Sequence, residues 1–263
     1  EVQPKSTISY YQVGKSLAGR YDAVIDPTLS LRPRDLLLLR TLNTKYYVGL
    51  NKADYRLFTH NIQNSQQHFA DVYAQALRLL GFDRINTQPE LPTNPASEAA
   101  VQTFLQQNGW QDYIALNFLG AANSRRFGLD AIARALTAFQ AAFPAQKFIL
   151  LTYPEITPSL ATLCQQHPNA TLYPHTQTIH DSIALIRHAQ AVLTPDTAII
   201  HIAAALDKPI IGLYRQDPQN YANWHPQSEH AQIIWFQQHI QEITPTQMIS
   251  ALQNIISIST EAA

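Results

Sequence analysis

The stretch that decides the fold is "VLTPDTAIIHIAAALDKPIIGLY", residues 192–214. The apolar runs at 191–195 and 209–214 are strand-like, and the Ala-rich sequence between them predicts a helix. A strand, a helix and a second strand joined by short connections are typical of a βαβ unit in a parallel sheet. Asp196 and Thr197 stand at the first junction, so the sequence predicts them at the carboxyl end of a strand.

The same alternation continues through the second half of the chain, which predicts an α/β, Rossmann-like, doubly wound domain over residues 112–263. Its other strand-like runs are 113–120, 147–153, 170–174 and 231–236, and its helix candidates are 128–143, 156–167, 179–189, 197–206 and 245–258.

The first part of the chain is less regular, and it predicts a partial α/β domain over residues 1–85. The strand-like runs are 21–27, 45–51 and 55–60, followed by a helix at 67–81. Residues 86–111 open with "NTQPELPTNPASEA", which is rich in Pro, Asn and Thr and predicts a linker.

The amino-acid composition indicates which classes of protein this chain can belong to. The chain has 263 residues with 18 basic and 19 acidic side chains, a balance that predicts no nucleic-acid partner. Cys164 is the single cysteine, so no internal disulfide can form. No run of about 18 apolar residues occurs, and the first residues lack the apolar segment of a signal peptide. These features predict a cytosolic protein.

The Asp-Thr junction predicts a binding site for an anionic ligand such as a diphosphate. Ligands of parallel sheets bind beyond the carboxyl ends of the strands, where helix N-termini favour negative charge. Thr194 and Thr197 add hydroxyl groups, Asp196 is suited to orienting sugar hydroxyls or the loop, and His201 follows one turn later. The alternative interpretation is that Asp196 only caps the helix and His201 is a core histidine.

A second loop, "NFLGAANSRRFG" at 117–128, also follows a strand-like run. Its small residues permit close approach, and Arg125 and Arg126 offer two guanidinium groups that can neutralise a diphosphate. A solvated basic turn is the alternative. Two polar loops at strand ends of one sheet favour the diphosphate ligand. The histidines show no zinc-like spacing, and we expect neither a metal nor another cofactor.

These residues resemble glycosyltransferase family 9, the ADP-heptose:lipopolysaccharide heptosyltransferases. That family has a Thr/Ser-x-Asp-Thr/Ser-Gly-x-x-His-x-Ala-x-Ala stretch before a Pro-led strand, and "TPDTAIIHIAAALDKPIIGLY" resembles it with the same spacing from Asp196 to Pro209. "GAANSRRFG" is similar to the family's small-residue loop with a basic residue and an aromatic. "YDAVIDPTLSLRPRDLLLLRTLNTKYYVGLN" resembles the later N-terminal domain, so the resemblance covers nearly the whole chain.

The resemblance implies a GT-B-like fold, in which the C-terminal domain holds a nucleotide-diphosphate sugar and the N-terminal domain holds the acceptor. The implied reaction is metal-independent, inverting transfer of a heptose from ADP-heptose to a lipopolysaccharide inner-core sugar, at the cytosolic face of the inner membrane. Asp196, Thr197 and His201 would contact the donor, with Arg125 near its diphosphate. The oligomeric state stays open.

The sequence departs from the family pattern at two places. Ala198 replaces the glycine after Asp-Thr, which adds a methyl group beside the ligand. No strand and glycine-rich turn with an acidic residue, the family's presumed base, precedes Tyr21, which predicts that the start of the N-terminal domain is missing. Asp26, at the end of a strand-like run, is the candidate base in its place.

Two alternatives to a heptosyltransferase stay open at the level of sequence. One is a catalytically incomplete module that binds a nucleotide sugar or a partner protein. The other is a family 9 enzyme with altered donor choice, for which Ala198 is the motivating residue.

Overall fold

The computed structural model describes residues 6–120 and 122–261. The chain forms two compact units. We call unit 1 the residues up to Gln88 together with Pro218–His225, and unit 2 the residues Pro89–Asp217 together with those from Pro226 onward.

In the described part of unit 1, three parallel strands form one sheet in the order β1-β2-β3. The strands are β1 (Ala23–Asp26), β2 (Tyr46–Leu50) and β3 (His60–Ile62), and the helices are α1 (Thr7–Ser16), α2 (Pro33–Leu42), α3 (Phe69–Leu79) and α9 (Pro218–Trp224). Apolar side chains of β2, β3 and α3 form the core of this unit, among them Val48, Leu50 and Val72, which are fully buried.

Local sequence explains why the first two helices form and pack together. Pro33 occupies the first turn of α2, and the Asp35 carboxylate accepts a hydrogen bond from the Arg32 backbone N–H at 3.0 Å. In α1, a Cβ atom at Gly14 would lie 1.8 Å from the Thr41 Oγ1 atom of α2. A glycine is therefore required where these two helices cross.

Helix α9 belongs to unit 1 although its sequence neighbours belong to unit 2. The buried Asn223 amide donates hydrogen bonds to the carbonyls of Ser65 and Gln67, at 2.6 and 2.7 Å. Trp224 stacks on Phe69 with ring centroids 4.4 Å apart. These contacts anchor the segment that returns from unit 2.

In the described part of unit 2, six parallel strands form one sheet in the order β6-β5-β4-β7-β8-β9. The strands are β4 (Tyr113–Leu116), β5 (Lys147–Leu150), β6 (Ala170–Leu172), β7 (Ala191–Pro195), β8 (Ile210–Arg215) and β9 (Ala231–Phe236). The helices are α4 (Pro95–Asn108), α5 (Leu129–Ala142), α6 (Thr157–Cys164), α7 (Ile179–His188), α8 (Ala198–Ala205) and α10 (Pro245–Glu261). The central strands β4 and β7 are buried along their whole length, which is why they are almost entirely apolar.

The doubly wound, Rossmann-like α/β architecture predicted for the second half of the chain is confirmed. Strand order runs outward from β4 in one direction and from β7 in the other, so the sheet reverses its direction of winding between these two neighbours. That position is where open α/β sheets bind ligands.

The prediction of a strand at 55–60 is wrong. The chain forms successive turns there, with hydrogen bonds from the Tyr55 N–H to the Lys52 carbonyl and from the Phe58 N–H to the Tyr55 carbonyl, both 3.0 Å. The strand begins only at His60. The Phe58 ring packs edge-on against the rings of Tyr47 and Tyr55, so its aromatic character reflects packing within a turn.

Two other segments differ from the sequence-based expectation. The range 86–111, expected to be a linker, contains helix α4. The helix forms there because the Asn94 side chain caps its N-terminus and Pro95 occupies its first turn. The boundary between the two units lies between Gln88 and Pro89, and residues 218–225 belong to unit 1 again. Such a return cannot be seen in local sequence because it depends on packing against distant residues.

Candidate functional site

A cavity of about 500 Å³ opens on unit 2 at the carboxyl ends of its central strands. It is lined by residues of the loops after β4, β5, β6 and β7 and by the starts of α7 and α8: Asn117, Leu119, Gly120, Arg125, Arg126, Leu151, Thr152, Tyr153, Pro154, Thr176, Gln177, Thr178, Ile179, Ser182, Asp196, Thr197, Ala198 and Ile199. The two loops singled out in the sequence therefore meet at one site.

The N-terminus of α8 forms one wall of this cavity. Thr197 is the N-cap, and its hydroxyl oxygen accepts a hydrogen bond from the Ile199 backbone N–H at 3.3 Å. The residue that caps α8 is thus Thr197 and not Asp196. The first turn of a helix carries backbone N–H groups and a positive dipole end, which favour an anionic ligand.

Arg125 and Asp196 form an ion pair across the cavity wall. Arg125 Nη1 lies 2.9 Å from Asp196 Oδ2 and 3.0 Å from the Asp196 carbonyl oxygen. The Asp196 side chain is only 9 % exposed, whereas that of Arg125 is 37 % exposed. The guanidinium thus offsets the charge of a carboxylate that would otherwise repel a phosphate.

The loop that carries the two arginines folds back closely on itself at Gly120. Arg126 Nε donates a hydrogen bond to the Gly120 carbonyl at 3.1 Å. A Cβ atom at Gly120 would lie 2.3 Å from the Arg125 carbonyl oxygen, a distance that no side chain permits. Gly120 is therefore required for the loop to place both arginines at the cavity.

Asn117 joins the two loops, a role that the sequence analysis missed. Its Nδ2 atom donates to Thr194 Oγ1 at 3.0 Å and to Thr197 Oγ1 at 3.3 Å. Thr194 is fully buried and its hydroxyl donates to the Pro195 carbonyl at 2.9 Å. The expectation that Thr194 offers a hydroxyl to the ligand is corrected: burial removes it from the cavity, and it supports Asn117 instead.

Ala198 and His201 occupy different positions on α8. Ala198 is exposed and lines the cavity. His201 is half-buried one turn further along the helix and is not among the residues that line the cavity. Its predicted contact with the ligand stays a prediction.

Asp26, the candidate base, lies at the carboxyl end of β1 in unit 1. Asp26 Oδ1 accepts hydrogen bonds from the Thr28 backbone N–H at 3.0 Å and from the Thr28 hydroxyl at 2.6 Å. Lys52 is buried nearby and donates to the carbonyls of Thr28 and Leu50. Burial lowers the pKa of Lys52, and attraction to the Asp26 carboxylate partly opposes that shift.

Within the described ranges, no cluster of three or more metal-ligating side chains occurs. The same described residues include no helix long and apolar enough to cross a membrane.

A doubly wound sheet with a helix N-terminus, arginines and hydroxyl groups at its winding reversal is typical of α/β proteins that bind a ligand at this position. A model of glycosyltransferase family 9 (heptosyltransferase) matches residues 10–251. The chain therefore belongs to glycosyltransferase family 9, and the resemblance carried by residues 194–214 is confirmed.

Individual relatives agree with this assignment. The chain is 23 % identical to "Putative lipopolysaccharide heptosyltransferase 4" of Escherichia coli K12 over 247 residues, which cover 92 % of this chain and 64 % of that protein. This chain thus spans less than two thirds of that relative's length.

Solved structures show the same fold. A family 9 glycosyltransferase from Veillonella parvula superposes with a TM-score of 0.70 at 16 % identity, covering 97 % of this chain and 80 % of that one. E. coli heptosyltransferase WaaC with ADP gives a TM-score of 0.65 at 18 % identity, covering 94 % and 77 %. These likenesses confirm the predicted GT-B-like α/β fold.

Proposed function

We propose that the protein is a glycosyltransferase that binds a nucleoside-diphosphate sugar in the cavity of unit 2. The observation that carries this proposal is the cavity itself, where the α8 N-terminus and the exposed part of Arg125 converge on one space. Membership of the heptosyltransferase family supports transfer of a heptose in lipopolysaccharide biosynthesis. The ADP in the WaaC structure supports ADP-heptose as the donor.

The proposed reaction is an inverting displacement that uses no metal. A base removes the proton from an acceptor hydroxyl on an inner-core sugar, and that oxygen bonds to the anomeric carbon of the donor as the bond to the diphosphate breaks. The diphosphate leaves with the electron pair, and its charge is stabilised by the α8 N-terminus, Arg125 and Arg126. His201 contacts the donor from the next turn in this proposal.

Asp26 is the proposed base on the acceptor side. Thr28 holds one carboxylate oxygen, Oδ1, so the carboxylate has a fixed orientation at the carboxyl edge of its sheet. A carboxylate that reaches the acceptor hydroxyl meets the chemical requirement. We place the acceptor on unit 1 and the work of the protein at the cytosolic face of the inner membrane.

Calorimetric titration with ADP, UDP, GDP and ADP-heptose tests donor binding. We expect ADP and ADP-heptose to bind selectively, and Arg125→Ala and Asp196→Ala to weaken both, because each variant breaks the ion pair at the cavity wall. Arg134→Ala, which removes an exposed arginine of α5, is the matched control and should bind as the wild type does. Absence of nucleotide binding would refute the donor site.

Sugar transfer to a lipopolysaccharide core acceptor tests the reaction. We expect Asp26→Asn to lose turnover while it keeps the donor affinity of the wild type. Full turnover in that variant would remove Asp26 as the base. Donor binding by the wild type without any transfer would instead favour a nucleotide-sugar-binding module derived from this family.

A further inference from the structure

Asn117 occupies a buried position between the two loops of the cavity. It follows β4 directly, is 4 % exposed, and donates its backbone N–H to the Leu193 carbonyl of β7 at 2.8 Å. A buried amide in such a position must satisfy its donors and acceptors with fixed partners. Its orientation is therefore set by the groups around it.

The orientation of the Asn117 amide follows from the Leu119 backbone. The Leu119 N–H donates to Asn117 Oδ1 at 3.0 Å, and a backbone N–H can act only as a donor. The oxygen of the amide therefore faces Leu119. Its nitrogen faces Thr194 and Thr197, and donates to both hydroxyl oxygens.

This arrangement determines what the Thr197 hydroxyl can do. Its oxygen accepts from Asn117 Nδ2 and from the Ile199 N–H, both at 3.3 Å, so its two lone pairs are engaged. Its own proton is left to be donated. Thr194 Oγ1, 3.4 Å away, already accepts from Asn117 and is a weak acceptor at that distance.

Thr197 lines the cavity, where a phosphate oxygen would accept a shorter, charge-assisted hydrogen bond. We propose that Asn117 is a positioning residue for anion recognition, which directs the Thr197 hydroxyl as a donor toward a phosphate oxygen of the ligand. This inference rests on the proposed donor site and assigns a residue through which that site selects a diphosphate.

A double-mutant cycle on Asn117→Ala and Thr197→Val, followed by calorimetry, tests the proposal. Thr197→Val removes the donor, and we expect roughly 10- to 100-fold weaker ADP binding, the loss typical of one hydrogen bond to a charged group. Asn117→Ala should weaken ADP binding by a smaller factor because the hydroxyl is no longer held. The double variant should bind no more weakly than Thr197→Val alone.

Ligand selectivity separates positioning from general damage to the fold. Asn117→Ala should leave the affinity for adenosine unchanged while it weakens ADP, since only the anion contact is lost. Asn169→Ala removes a buried amide elsewhere in unit 2 and is the matched control, with ADP affinity equal to that of the wild type. Thermal unfolding of each variant verifies folding, and Asn117→Ser replaces the alanine variant if the latter does not fold.

Pyrophosphate, used as a second probe, distinguishes this inference from the proposed function. The wild type could bind pyrophosphate but not ADP, with the same pattern of affinity losses for pyrophosphate in the double-mutant cycle. That result would support anion recognition and overturn the proposal that the donor is a nucleotide sugar. Additive losses in the double variant, unchanged ADP binding in Asn117→Ala, or no binding of either probe by the wild type would overturn the role of Asn117.

Discussion

At the scale of single residues, the candidate site depends on a glycine as much as on its polar side chains. Gly120 permits the loop after β4 to fold back on itself at Arg125, because a Cβ atom would lie 2.3 Å from the Arg125 carbonyl oxygen. A Cβ atom at Gly128, in the same loop, would have the Gln241 Nε2 atom as its nearest neighbour, 3.9 Å away. The two glycines are therefore a matched pair.

We expect Gly120→Ser to lower the free energy of unfolding by about 1–3 kcal/mol, the cost of overpacking, and to weaken ADP binding because Arg125 and Arg126 are displaced. Gly128→Ser should be neutral or slightly stabilising, since Gly128 is the N-cap of α5 and serine is a favoured cap. Chemical denaturation and calorimetry measure both effects. Equal losses in the two variants would contradict the steric argument.

At the scale of elements, helix α7 begins beside the cavity with a capping box whose aspartate, Asp181, is buried. The Asp181 carboxylate accepts hydrogen bonds from the backbone N–H groups of Gln177 and Thr178, both at 2.9 Å. Burial by itself raises the pKa of Asp181, but these bonds, with those from the side chains of Ser97 and Thr178, outweigh burial and lower it below its ordinary value. The helix start is thus stabilised by an ionised carboxylate.

The pH dependence of stability follows from the sign of that shift. Because the folded pKa is the lower one, the stabilisation is present above the unfolded pKa of about 3.9 and is lost as the pH falls through the folded value. We expect Asp181→Asn to lower the free energy of unfolding by about 1–3 kcal/mol at pH 7, with the difference from wild type shrinking below about pH 4.

Urea denaturation over a series of pH values measures this difference. Asp130→Asn, an exposed aspartate in the first turn of α5, is the control and should change stability by no more than about 0.5 kcal/mol at any pH. A pH-independent difference between Asp181→Asn and the wild type would show that the carboxylate charge does not contribute.

At the scale of the whole molecule, the chain passes between the two units more than once. It leaves unit 1 at Gln88, and α9 returns to it at Pro218–His225. The segment before α4 is mostly exposed and has no regular structure. A cut there leaves α9 on the C-terminal fragment, while its hydrogen-bond partners lie on the N-terminal one.

We expect the two fragments produced by a protease site inserted between Pro89 and Asn94 to elute together from a sizing column. The buried Asn223 amide and the stacked Trp224 ring hold α9 in unit 1. Asn223→Ala should release the fragments at lower urea concentration, because it leaves two carbonyl groups without their donor. Asn108→Ala, which removes an exposed amide, is the control. Separate elution of the wild-type fragments would contradict the anchoring role.

The sequence by itself determined the βαβ order of unit 2 and the place of Asp196 and Thr197 at the junction between β7 and α8. These features depend on periodicity and on contacts within a few residues, so a single stretch such as 192–214 contains them. The sequence also indicated the family through its resemblance at residues 194–214, and the family model matches residues 10–251.

Only the tertiary structure decided which side chains contact one another at the candidate site. Arg125 meets Asp196 across 71 positions, and Asn117 meets Thr197 across 80. Both pairs exist because β4 and β7 are neighbours in the sheet, and strand order is set by packing of the whole unit rather than by local pattern. The buried role of Thr194 and the return of α9 to unit 1 follow from the same long-range packing, which no local pattern encodes.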